Sequence, residues 1–131
     1  MKRQVITIQE NIVIYAPHHG EVWMTVWEIA ELLNVTGTAV KNTIKRIWKQ
    51  GVLKDFKHSQ YIKLENGYSA DVYDVEVVIA ISLQMDTYQA LLFRKWFIGK
   101  VENRKDYQEY QTRTEQPMII VMNGTIPRGV S

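Results

Sequence analysis

Seven side chains between positions 36 and 49 are spaced so that a single helix would present them together: Thr36, Thr38, Lys41, Asn42, Lys45, Arg46 and Lys49. Lysines reach phosphate oxygens, while asparagine and arginine can bond base edges in a major groove. A helix beginning at Thr36 would add free backbone amides and the positive end of its dipole, a second means of holding phosphate. Val40, Ile44 and Ile47 fall on the opposite side, at the spacing of a buried stripe. An ordinary surface helix with a solvated lysine face has the same pattern, so charge further along the chain has to decide between them.

Overall, 16 Lys and Arg oppose 14 Asp and Glu, which by itself favours no partner. The distribution is uneven. Residues 36–63 hold seven basic residues, Lys54, Lys57 and Lys63 extending the set, against Asp55 alone; residues 64–112 hold five basic and eight acidic. A basic block beside such a helix is what binding to a phosphate backbone requires.

The elements that would position these groups carry local signals. Thr25 and Glu28 have the spacing of a capping box, and Val26, Ile29, Ala30 and Leu33 then line one helical face. Ala30 is small where two helices would cross, and Asn34 suits the left-handed residue of a tight turn. Val35 would fill the corner, Thr36 would cap the second helix, and Gly51 would end it. This is a helix-turn-helix layout. Residues 5–9 and 12–15 alternate around Glu10-Asn11, which predicts an N-terminal hairpin or one kinked strand; residues 61–64 and 68–73 flank Glu65-Asn66-Gly67, which predicts a second hairpin, a wing.

Asp74 caps a third, largely apolar helix over residues 75–84, and Asp86 or Thr87 caps a fourth from 88 to about 107. On the fourth, Tyr88, Leu91, Leu92, Trp96 and Ile98 form one apolar stripe, with Phe93, Phe97 and Val101 roughly opposite. A chain this small can hardly bury both, so the expectation is a homodimer with its interface on Phe93, Phe97 and Val101. Cover by the first hairpin or by the C-terminal tail, where residues 118–122 look strand-like, is the alternative. The expected architecture is α+β: a winged helix-turn-helix with an N-terminal β-hairpin, a β-wing and two C-terminal helices. It spans residues 1–107, with a tail at 108–131 that is either unstructured or one extra strand.

Other chemistry has little foothold. There is no cysteine, which removes disulfides, thiolate metal sites and thiol catalysis. His18-His19 lacks a suitably spaced third ligand and reads as a surface loop, and His58 as an exposed bystander. No glycine-rich phosphate loop or nucleophile–base pair is present, and Asp71, Asp74 and Glu76 read as a strand end, a helix cap and a first-turn acid. Neither an enzyme nor a cofactor or metal is expected. No apolar run has membrane-spanning length and no signal-peptide core is seen, which points to a cytoplasmic setting.

Val22-Trp23-Met24-Thr25, Ile29-Ala30-Glu31-Leu32-Leu33 and residues 73–81 (YDVEVVIAI) resemble the RhuM-like (virulence protein RhuM) family, and Phe93-Arg94-Lys95-Trp96 stands at its Phe-Arg-x-Trp signature. The resemblance spans about residues 12–101. Where the family has a Tyr-Arg-Val-Asn-Ser-like link, this chain has Leu83-Gln84-Met85-Asp86-Thr87, which keeps a cap and drops the arginine. The resemblance implies a bacterial DNA-binding protein of mobile or horizontally acquired elements, a transcriptional regulator or accessory factor. Residues and resemblance together predict binding to double-stranded DNA, sequence-specific or general. The alternative is a protein-interaction module, an adaptor or antitoxin-like subunit, using the two-sided last helix.

Overall fold

The computed structural model describes residues 2–16 and 20–113, with side chains described as far as residue 102. His18, His19 and the strand expected at 118–122 lie outside the described residues. The architecture is mixed α+β, with five helices and a mixed four-stranded sheet among the described residues. The chain forms two units, Met1–Phe97 and Ile98–Ser131.

Strand β1 (Arg3–Gln4) runs parallel to β4 (Glu21–Met24), and between them β2 (Thr7–Gln9) and β3 (Ile12–Ile14) form a separate antiparallel hairpin. Its turn residues Glu10 and Asn11 both have positive φ, 51° and 66°, the pairing that matches the right-handed strand twist in a two-residue turn. Helices α1 (Val26–Leu33) and α2 (Gly37–Gln50) follow, then a single-turn helix α3 (Asp55–His58) that no periodicity announced. Strands β5 (Ser59–Lys63) and β6 (Ser69–Asp74) form the second hairpin, and helices α4 (Val75–Ser82) and α5 (Tyr88–Arg113) complete the described elements. The sheet order is β1-β4-β6-β5, with β6 antiparallel to both of its neighbours.

The helix ends form where local chemistry satisfies them. Thr25 and Glu28 close a reciprocal capping box, Thr36 Oγ1 accepts from the Ala39 amide, and Asp74 accepts from that of Val77. Asn34 sits in the left-handed region at φ 56° and turns α1 into α2, with the Val35 amide donating to the Ala30 carbonyl. Gly51, at φ 81°, ends α2. For α5 the cap is Thr87, whose hydroxyl accepts from the Ala90 amide and donates to the Leu33 carbonyl at the end of α1.

The core gathers Met24, Ile29, Leu33, Val40, Ile44, Val77, Val78 and Ile81 from β4, α1, α2 and α4, with Ile6 sealing one side. Here α5 differs from expectation. Phe93 is 0% exposed and lies in this core with Ala90, so it is not an interface residue, and Phe97 beside it is half-buried. The exposed side of the same helix carries Tyr88 and Leu91, from the stripe expected to pack inward. Both faces are apolar, so spacing could not tell them apart. The first α5 turns instead follow Thr87 and Arg94, which donates to the Ser82 and Met85 carbonyls at the end of α4. Arg94 thus satisfies main-chain carbonyls between α4 and α5. Trp96 is half-buried, edge-on to Tyr15 at 5.4 Å between ring centroids and beside Phe93 at 5.6 Å. Leu83 is exposed at the end of α4.

Replacing Phe93 by alanine removes a fully buried ring and should cost about 3–5 kcal/mol in urea unfolding. An unchanged midpoint would place the ring outside the core.

Candidate nucleic-acid interface

Helix α2 is buried through Val40, Thr43, Ile44 and Ile47 and open on its far side, where Thr36, Thr38, Lys41, Asn42, Lys45, Arg46 and Lys49 are all exposed. The structure therefore brings the sequence-derived set onto one element, with different surroundings for each member. Thr36 spends its hydroxyl on the Ala39 amide, so its side chain holds the helix start. Thr38, Asn42, Lys45 and Lys49 run along the centre of the exposed face. Arg46, at its edge, is turned aside: its guanidinium donates to Thr43 Oγ1 and to Gln84 Oε1, both at 3.1 Å, which ties α2 to the α4–α5 connection. Lys57 is exposed on α3 and Lys63 at the end of β5.

The opposite edge meets a cleft that sequence reasoning missed. Trp27 of α1, 65% exposed, lies across the start of α2. Its benzo edge sits so close to Gly37 that a Cβ there would come within 2.2 Å of Cζ3, and the Lys41 ammonium stands 5.4 Å from the ring centroid, a cation–π distance. At the first position of α2, the absence of a side chain on Gly37 admits the indole. Trp27, Lys41, Lys45, Trp48, Asp71 and Tyr73 line a space of about 410 Å³ between the two helices and β6, with Ile44 and Val26 on its floor. Trp48 and Tyr73 pack together at 6.3 Å between centroids. Alternation along the hairpin puts Tyr61 and Lys63 on the same face as Asp71 and Tyr73. Burial, and then the nearby Asp71 carboxylate, push the Tyr73 phenol above its ordinary pKa. The Trp27–Gly37 approach was the one legible clue, since a glycine one residue into a helix asks what lies against it.

The hairpin is held at both ends. At its tip the loop Glu65-Asn66-Gly67 has three residues, with Gly67 at φ 93° and Asn66 accepting from the Tyr68 amide. Three-residue loops of this kind end in a left-handed glycine, which is the role that Asn-Gly plays here instead of a two-residue turn. Arg3 reaches Glu65 from below at 3.1 Å while making a two-pronged pair with Glu28 at 2.8 and 3.0 Å. A hydrogen bond from its own backbone, and then Arg3, hold the Glu65 carboxyl below the usual carboxylate range. At the hairpin's base His58 is no bystander: its Nδ1 lies 2.7 Å from Asp74 Oδ2 and 3.3 Å from Glu76 Oε1. Among the described residues these three form the one group whose ligand atoms, all within 4.8 Å of one another, suit a cation. The capping role of Asp74 and its pairing with His58 account for the arrangement without one, and the helix dipole at that end of α4 opposes positive charge.

Compared with protein-family models, curated proteins and solved structures, the chain matches none. No helix among the described residues is long and apolar enough to cross a membrane.

Gly37→Ala should force the Trp27 indole away from α2 and change its emission spectrum, with stability within about 1 kcal/mol of the parent because the ring can swing into solvent; unaltered emission would show that the contact is not held in solution. Because the Tyr73 phenol keeps its proton longer when folded, stability should fall as pH rises past about 10, where the unfolded chain ionises first. Asp71→Asn should bring the ultraviolet phenolate titration of Tyr73 to lower pH, and an unmoved titration would leave burial as the whole cause.

Proposed function

We propose that this chain binds double-stranded DNA through α2, as the second helix of a winged helix-turn-helix whose wing is the β5–β6 hairpin. The observation that carries the reading is the exposed run Thr38, Lys41, Asn42, Lys45 and Lys49 on a helix whose other face is wholly committed to the core. The exposed start of α2 at Thr38 would add the positive end of the helix dipole to what the lysines offer a phosphate. Lys63 on the hairpin, and Lys57 at its base, would lengthen the phosphate footprint. The resemblance to RhuM-like proteins supports the same reading and adds its setting, regulation or an accessory role on a bacterial mobile element.

A second reading has its own support. Tyr88 and Leu91 are exposed on the side of α5 opposite Phe93, an apolar pair that suits a second copy or another protein. Dimerisation would then use this face in place of the one that Phe93 closes.

Purified protein titrated with a labelled mixed-sequence duplex should bind with a log–log salt slope of about −3 to −6, the mark of several neutralised phosphates. Lys45→Glu combined with Lys49→Glu should reduce affinity at least tenfold with the melting temperature preserved. Equal affinity in that variant, or no binding at low salt, would transfer the weight to the protein-contact reading.

A further inference from the structure

We propose that the cleft between α2 and β6 is a nucleotide site, taking a base that is not stacked in a duplex together with its phosphate. The walls have the required chemistry. Trp27, a residue 65% exposed, presents its indole, and Trp48 and Tyr73 supply two more rings across about 410 Å³, a volume in the range of small-ligand pockets. Planar bases stack on such rings whatever their sequence. Lys41 and Lys45, successive on the cleft side of α2, are placed for a phosphate, and Asp71 provides an acceptor for the N–H groups of a base edge. Aromatic faces alone would describe a general apolar pocket; two ammonium groups and one carboxylate on its rim select a planar, anionic ligand. A structural role accounts poorly for Trp27. An indole this exposed buries little apolar surface, yet the first residue of α2 is a glycine that leaves room for it.

The ligand has two sources: an extruded or unpaired nucleotide within a DNA strand, or a free nucleotide. The first rests on the duplex-binding reading of α2, because the cleft adjoins the exposed lysine face; the second does not. With an in-strand ligand, α2 holds the duplex while the cleft holds one base outside the stack, so the protein would favour distorted over regular DNA.

The test compares a blunt duplex, the same duplex with one bulged thymidine, and thymidine monophosphate, each titrated against the full chain by tryptophan quenching and, for the duplexes, by anisotropy. The expected result is about tenfold tighter binding of the bulged duplex, a preference that Trp27→Ala removes while blunt-duplex affinity stays within about twofold. Quenching by the mononucleotide that is lost in Trp27→Ala, without any bulge preference, assigns the site to a free nucleotide. Absence of both the bulge preference and mononucleotide quenching overturns the proposal, as does a Trp27→Ala variant that weakens both duplexes equally. Failure of blunt-duplex binding alone strikes the α2 reading and leaves the cleft result standing. Because Trp27 is exposed, the variant should fold, and Trp27→Phe should restore part of the preference.

Discussion

The Glu28 carboxylate is the point on which the arrangement turns. One of its oxygens accepts from the Thr25 amide at 2.8 Å, completing the start of α1, and both accept from the Arg3 guanidinium. Arg3 also donates to the Trp23 carbonyl and reaches Glu65 at the tip of the second hairpin. A single ion pair therefore joins the first strand, the strand leading into α1, the first turn of α1 and the hairpin that flanks α2. The Arg3 side chain is only 5% exposed, so losing Glu28 would leave it with the exposed Glu65 as its remaining carboxylate, a larger penalty than losing a surface pair. The orientation of α1 against the sheet then fixes α2, since only Asn34, Val35 and Thr36 separate the two helices.

Some of this was legible in the sequence because the information was local. Thr25 with Glu28, Asn34, Thr36, Gly51 and Asp74 each act on amides or carbonyls within a few residues, and each does in the structure what its type and position imply. Both hairpins follow from alternation and turn residues in the same way. The burial of Val40, Ile44 and Ile47, and with it the exposed set on α2, follows from helical period alone.

What was not legible depends on contacts across long stretches of chain. No spacing rule links Arg3 to Glu28 and Glu65, His58 to Asp74, or Arg46 to Gln84. The inward face of α5 was misjudged for the same reason: with apolar residues around much of the helix, the choice was made by Thr87 reaching Leu33 and Arg94 reaching Ser82 and Met85, long-range bonds that the pattern does not encode. Apart from the glycine at the start of α2, nothing in the sequence announced the aromatic cleft, because Trp27, Trp48 and Tyr73 come from three elements and only folding sets them around one space. Lys41, read as a groove-facing cation, is shared between the exposed face and this cleft.

The Thr87 hydroxyl has a mechanical consequence. It accepts from α5 and donates to α1 at Leu33, one residue before the left-handed Asn34 that sets the angle between α1 and α2. The start of α5 cannot be displaced along its axis without either breaking that bond or pulling on the corner from which α2 springs. Load applied to the last helix is thus delivered at the hinge of the basic helix through one oxygen atom, over a path far shorter than the 54 residues of chain that separate the two positions.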